Sequence, residues 1–208
     1  MPTVSPLTVC ATDLTLALAK IRRYQSPDEY PFTSNLPSPI IPPLKYPPLL
    51  HPNNVNVNPK IYSSYVNNIL PGITQNLPDK GESAENYGSC AVRDVECLQS
   101  LSRRIHFGKF VAEVKFRSEP EKMTELIKKR DVSGLADAIT NVAVERQVLE
   151  RLATKAMAYG RDPGAGANEP TSNAADKVDV NAVVAIYRDI VIPLTKEVEV
   201  EYLLARLD

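Results

Sequence analysis

Along this chain, apolar side chains recur at spacings of three and four residues, and strand-like alternation persists nowhere. From residue 86 to 116, Val92, Val95, Leu98, Leu101 and Ile105 form such a series without an intervening proline, which predicts one long helix. Residues 12–24 read as a helix through Leu14, Leu16, Ala17, Ala19 and Ile21, with basic residues gathering at its C-terminal end. Residues 60–70 predict a short helix ended by Pro71-Gly72, and 119–129 and 132–139 predict two more. Val144, Val148, Leu149, Leu152 and Met157 mark another amphipathic helix, with Gly160 a natural stop. The last helix spans 180–207 through Val184, Tyr187, Val191, Leu194, Val198 and Leu204. Pro193 predicts a kink near Asp189, whose carbonyl loses its partner. No internal repeat is present, and the predicted fold is an all-α, single-domain helical bundle over 1–208.

Two stretches interrupt the helical pattern. Residues 26–59 hold most of the chain's 18 prolines, and 36–44 alone would pass for a polyproline linker. Ile40, Ile41, Leu44, Leu49 and Leu50 are too many apolar side chains for a solvated spacer, so an ordered loop strapped across the core is expected. Residues 162–176, rich in Gly, Ala, Asn and Pro, are expected to be a flexible loop.

Composition narrows the function. A chain of 208 residues can bury a real core, while a net charge of −1 supplies no field to steer nucleic acid or a membrane surface. An anionic ligand would need cations concentrated in a pocket. Cys90 and Cys97 are seven apart, about 10 Å along a helix and too far for a disulfide; with Cys10 they read as free thiols in a reducing compartment. His51 and His106 match no metal-site spacing, and His106 reads as structural. The first twenty residues lack a signal-peptide pattern and no apolar run approaches a membrane span, so a cytoplasmic chain is expected.

Three pairs could carry chemistry. Arg104 and Lys115 are eleven residues apart, within about 20° of one face of an unbroken helix, and their heads can converge on a small anion. They could equally be two surface cations, as Arg93 shares that face. Thr195 and Glu199, four apart, place a hydroxyl beside an acid, or form a solvated stripe. Asn141 and Glu145 are also four apart and fit a helix start as well as a ligand contact. Glycine-rich phosphate loops and nucleophile–base sets are absent from the sequence. Spacing alone supports a helical domain with an anion pocket.

The run Arg-Arg-Ile-His-Phe-Gly-Lys-Phe-Val-Ala-Glu-Val-Lys at 103–115 and the run Thr-Lys-Glu-Val-Glu-Val-Glu-Tyr-Leu-Leu at 195–204 closely resemble the eukaryotic, all-helical chorismate mutases. The resemblance covers residues 18–208. It implies rearrangement of chorismate to prephenate for Phe and Tyr synthesis, in one pericyclic step without metal or cofactor. On the matching positions it implies Arg104 as a carboxylate clamp and Lys115 as a donor to the ether oxygen. Asn141 and Glu145 become substrate contacts, Thr195 a carboxylate contact, and Glu199 the second group at the ether oxygen, acting protonated. It further implies a homodimer with Tyr and Trp as effectors, bound by Arg22 and Arg23 and by Asn86, Gly88 and Ser89 across the interface. Val92 stands where yeast-type enzymes have Thr, which removes one polar contact. Family members carry an additional N-terminal helix with an active-site arginine, whereas no Arg occurs among residues 1–21 here. That departure leaves a second class of reading open: a catalytically impaired, Tyr- or Trp-binding regulatory or dimer-partner protein.

Overall fold

In a computed structural model the described residues are 6–43, 45, 47–75, 83–160 and 179–207. Among them every regular element is helical. The α-helices are α1 (Pro6–Lys20), α2 (Asn58–Ser64), α3 (Leu70–Thr74), α4 (Tyr87–His106), α5 (Gly108–Ser118), α6 (Pro120–Lys128), α7 (Val132–Ile139), α8 (Val142–Gly160), α9 (Val180–Ile186) and α10 (Ile192–Leu204).

Helix α10 is the hub. Val198 joins Ile61, Tyr65, Leu98 and Ile105 in one buried cluster, while Val200, Tyr202 and Leu203 join Ala112, Met123 and Leu135 in a second. Apolar residues on several sides give a helix that is buried almost all round, as a central element must be. The polar side chains of α10 lie on two sides: Thr195, Lys196 and Glu199 line one cavity, while Glu197 pairs with Lys60 and Glu201 is exposed on the other.

Several boundaries differ from the sequence expectation, each for a local reason. The long helix of 86–116 breaks at Phe107, which accepts from the Phe110 N–H in a tightened turn just before Gly108. The helix expected to end at Pro71-Gly72 instead continues to Thr74. It does so through a π-turn, Tyr65–Ile69, in which the Leu70 N–H reaches back to the Tyr65 carbonyl. The same device, Tyr187–Val191, precedes Pro193, with Ile192 donating to Tyr187. In both cases the widened turn lies where the proline removes an ordinary i→i−4 bond, and the proline falls in the first turn of the next α segment, where an absent N–H costs nothing.

Helix α1 begins at Pro6 and ends at Lys20, short of Tyr24. It closes in a Schellman motif: Arg23 donates to the Leu18 carbonyl at 3.2 Å, Arg22 to Ala19 at 3.0 Å, and Arg22 itself takes φ 71°. Glycine usually fills that position, and a non-glycine residue there costs roughly 1 kcal/mol. Residues 162–176, expected to be flexible, lie outside the described residues.

The proline-rich segment 26–59 is fixed by polar contacts more than by the apolar residues expected to anchor it. Ile40, Ile41 and Leu49 are exposed, Leu50 packs at the second cluster, and Leu44 lies outside the described residues. Val57 is buried in the first cluster with Phe32 and Val55 packed against it, and the other anchors are buried polar groups. Asn58 Nδ2 donates to the carbonyls of Tyr30 (3.1 Å) and Pro31 (3.0 Å), and Gln99 Nε2 to Tyr30 (3.0 Å). Lys109 Nζ, fully buried, donates to Tyr30 Oη and to the Val55 carbonyl, both at 2.5 Å. His106 Nδ1–H donates to the Ser102 carbonyl, which leaves Nε2 to accept from the Val57 N–H at 3.0 Å. Burial first, and then the Lys109 charge, push the His106 pKa down to about 4 and keep the ring neutral.

At its far end the segment rests on Glu113. The His51 N–H donates to Tyr202 Oη (3.0 Å), which donates to Glu113 Oε2 (2.6 Å); Arg206 and Arg117 close on the same carboxylate at 2.7 Å. Arg117 also reaches the Leu49 carbonyl at 2.9 Å. Burial alone would raise the Glu113 pKa, but the hydrogen bonds from Arg206, Tyr202 and Arg117 prevail and hold it at about 2. A carboxylate depressed in the fold stabilises above its unfolded pKa and loses that stabilisation as pH falls through the folded one. We therefore expect Glu113→Gln to lower stability by on the order of 2 to 3 kcal/mol at pH 7. The difference between the proteins should shrink between pH 4.5 and 2, which denaturant melts across that range would measure.

Candidate active site

A cavity of about 210 Å³ opens between α4, α8 and α10. Arg104 reaches it from α4, Asn141 and Glu145 from the start of α8, and Thr195, Lys196 and Glu199 from α10. Its remaining wall is aliphatic, with Val111, Ile139, Val148 and Ile192 among the lining residues. Five of the six residues singled out for chemistry thus meet at one cavity. Lys115 does not line it; its ammonium is paired with Glu119, just past the C-terminal end of α5. The break at Phe107 interrupts the continuous helix that placed Arg104 and Lys115 on one face, and Val111 occupies the intervening turn.

A larger groove, about 750 Å³, lies between α1 and α4 and shares only Arg104 with the smaller cavity. Its polar lining is a different set, Arg23, Asp28, Glu96, Gln99, Ser100 and Arg103, and none of Asn141, Glu145, Thr195 or Glu199 reaches it.

Glu199 is 7 % exposed, and burial raises its pKa to about 7, against the pull of Arg104 and Lys196 and with a further push from Glu145. It can therefore carry a proton near neutral pH, unlike an ordinary surface glutamate. Glu145 is held by Lys196 at 2.7 Å. Asn141 serves as the N-cap of α8, its Oδ1 accepting from the Val144 N–H at 3.2 Å. The cap uses only the carbonyl end of the side chain, so its amide end is left to meet a ligand. Helix start and ligand contact are compatible roles for this residue. Thr195 Oγ1 donates to the Val191 carbonyl at 2.7 Å and must turn that proton outward to serve a carboxylate.

The arrangement offers one guanidinium, one amide, one hydroxyl and one protonatable buried acid around a space fit for a small polyoxygenated anion. Among the described residues no group of three His, Cys, Asp or Glu stands together to hold a metal ion, and no helix is long and apolar enough to cross a membrane.

The sequence pattern described as chorismate mutase type II matches residues 86–200, which carry all of these side chains. The chain belongs to that family. It is 55% identical over 193 residues to the chorismate mutase of Emericella nidulans, spanning 91% of this chain and 70% of the relative. The crystal structure of a Candida albicans chorismate mutase in complex with L-Trp superposes with a TM-score of 0.85 at 42% identity, covering 100% of this chain and 77% of that one. A second solved structure, with tyrosine bound in its allosteric site, gives a TM-score of 0.82 at 39% identity, covering 100% of this chain and 81% of the other.

The residues matched to the family's effector site lie away from the cavity. Arg22 donates to the Pro42 carbonyl at 2.7 Å, and Arg23 pairs with Glu29 at 2.5 Å. Asn86, Gly88 and Ser89 stand at the start of α4, exposed, with open space around Gly88. Within one chain the two groups do not share a cavity.

Two contributors to the cavity escaped the sequence reading. Lys196 follows Thr195 directly and so falls off its helical face, which hid it from a search at spacings of three and four. Gly108 contributes by what it lacks. A Cβ there would meet Glu199 Cγ at 3.0 Å, Thr195 Cγ2 at 3.1 Å and the Thr195 carbonyl oxygen at 3.1 Å. The carbonyl belongs to the α10 backbone and cannot yield, and Thr195 is held by its bond to Val191. We expect Gly108→Ala to push α5 and α10 apart by a few tenths of an ångström. A misplacement of that order should cost roughly tenfold in kcat. The thermal midpoint should fall by only a few degrees, and steady-state kinetics beside a melting curve would separate the two.

Proposed function

We propose that this chain rearranges chorismate to prephenate in the cavity between α4, α8 and α10, with the six matched residues as its machinery. The reaction breaks the ether C–O bond and forms a C–C bond within one molecule, so it needs no nucleophile, metal or cofactor. What it needs is a folded substrate conformation and stabilisation of the negative charge that gathers on the departing ether oxygen. Arg104 clamps a substrate carboxylate and Thr195 contacts a carboxylate from α10. The Asn141 amide and the Glu145 carboxylate bind hydroxyl and polar groups of the ring. Glu199, protonated, donates to the ether oxygen from one side, and Lys115 donates from the other after leaving Glu119.

The observation that carries this reading is Glu199: a nearly buried acid, raised to about 7, facing a guanidinium across the cavity. An ionised carboxylate would repel the oxygen it has to stabilise. The sign follows directly. Below the raised pKa the donor is present, and above it the donor is lost, so kcat/KM should decline as pH rises through about 7. Glu199→Gln donates at any pH and should flatten that limb. Arg104→Ala should lower kcat/KM by about two to three orders of magnitude with the fold intact. A wild-type profile that is flat from acid to mildly alkaline pH would defeat the assignment of Glu199.

The same reading takes the protein to be a cytoplasmic homodimer in the branch leading to Phe and Tyr. Tyr and Trp act as effectors held between Arg22 and Arg23 of one subunit and Asn86, Gly88 and Ser89 of the other. Support comes from the tryptophan- and tyrosine-bound relatives and from Arg22 being kept in a left-handed conformation that glycine would occupy more cheaply. We expect Arg23→Ala to abolish any change in rate with added Tyr or Trp while leaving unliganded turnover in place. Initial rates with and without each amino acid would check it.

A further inference from the structure

Helix α8 brings Asn141 and Glu145 to the cavity, whereas Arg104, Thr195 and Glu199 come from α4 and α10. The two halves must keep register for a substrate to touch both. Among the described residues the single ion pair between α8 and α10 is Lys196 Nζ to Glu145 Oε1, 2.7 Å, with the two side chains 32% and 29% exposed. The polar contacts of Asn141, Arg151 and Thr154 all stay within α8 and its cap. Val142, Val144 and Met157 on the same helix are exposed, and the apolar packing of α8, with Ala156 buried, is against α9 more than against α10.

We propose that Lys196 is a positioning residue of the mutase reaction: its ammonium draws Glu145 to the cavity, keeps α8 in register with α10, and supplies a second positive charge beside Glu199. This rests on the reading of Glu199 as the protonated donor. The charged groups facing Glu199 are Arg104 from α4, Lys196 from α10 and Glu145 from α8. Helix α5 presents Gly108 and Val111 there, with its Lys115 paired to Glu119, and α7 presents Ile139. Arg104 and then Lys196 favour the ionised form of Glu199, and Glu145 opposes it. Removing the Lys196 charge also leaves the Glu145 carboxylate uncompensated, and both changes favour the protonated form. The alkaline limb of activity must therefore move upward, an outcome that a partly exposed ion pair with only structural worth would not produce.

The test is the pH profile of kcat/KM, with KM for chorismate, in Lys196→Met and Lys196→Arg, run beside Glu199→Gln. In Lys196→Met the limb should rise by about half a unit to one unit, and KM should increase about three- to tenfold. Lys196→Arg restores the charge and the tie, so it should lie within about twofold of wild type on both counts. A limb and KM unchanged in Lys196→Met would overturn the proposal. So would a raised KM with an unmoved limb, which would reduce Lys196 to a mechanical tie. If Glu199→Gln keeps the wild-type limb, the limb belongs to another group; the assignment of Glu199 then falls, and this proposal with it.

Discussion

The approach of α5 to α10 at Gly108 is the constraint on which the rest of this structure depends. With no side chain at that point, the backbone of one helix lies against Thr195 and Glu199 of the other. The contact shuts Glu199 away from water, and that exclusion, more than any neighbouring charge, makes it a proton carrier near neutral pH. It also explains why the helix of 87–118 is not continuous: a glycine chosen for proximity is a poor residue for helix interiors, and the axis resets one residue before it, at Phe107.

The same stretch of chain has a second face with a different task. His106, Lys109 and Glu113 follow at spacings of three and four, and each is buried against the proline-rich segment or its supports. The segment gives Val57, Phe32, Val55 and Leu50 to the two clusters, and between them its backbone groups are met by buried polar partners. That solution is costly unless every group is satisfied. The neutral His106 and the ionised Glu113 show how far the surroundings go to satisfy them. The proline-rich segment on one side and the cavity on the other share α4 and α5.

Periodicity was enough to read the all-helical class and most element positions, because the helices here are amphipathic and their apolar series are long. It failed where tertiary contact overrode local preference. Only Gly108 marks the break at Phe107 in the sequence, and what requires that glycine is a contact with α10 nearly ninety positions away. Pro71 looked like a terminator because a proline inside a helix usually is one, and only the preceding π-turn makes it tolerable. Ile40, Ile41 and Leu49 read as anchors by hydropathy, yet the anchoring lies in Val57, Phe32 and Val55 and in the polar contacts of Tyr30 and Asn58. At the cavity, pairs at spacings of three and four were legible and an adjacent residue, Lys196, was not. The role of Asn141 could not be decided from spacing because cap and contact use opposite ends of one amide.

Under the proposed mechanism two requirements on the cavity conflict. A dianionic substrate calls for positive charge, and a protonated Glu199 calls for its absence. The structure reconciles them by giving each nearby lysine a carboxylate of its own, Lys196 to Glu145 and Lys115 to Glu119, which weakens the field of both at Glu199. Arg104 is then the leading cation acting on the acid, and burial outweighs it. A bound dianion would tip the balance further, since its carboxylates oppose ionisation of Glu199 while claiming the cations that favoured it. Binding of substrate and binding of the proton therefore reinforce one another, and by reciprocity a protonated Glu199 strengthens the hold on substrate by the same factor. In that mechanism the Glu199 donor is best charged with its proton when there is an ether oxygen to receive the hydrogen bond.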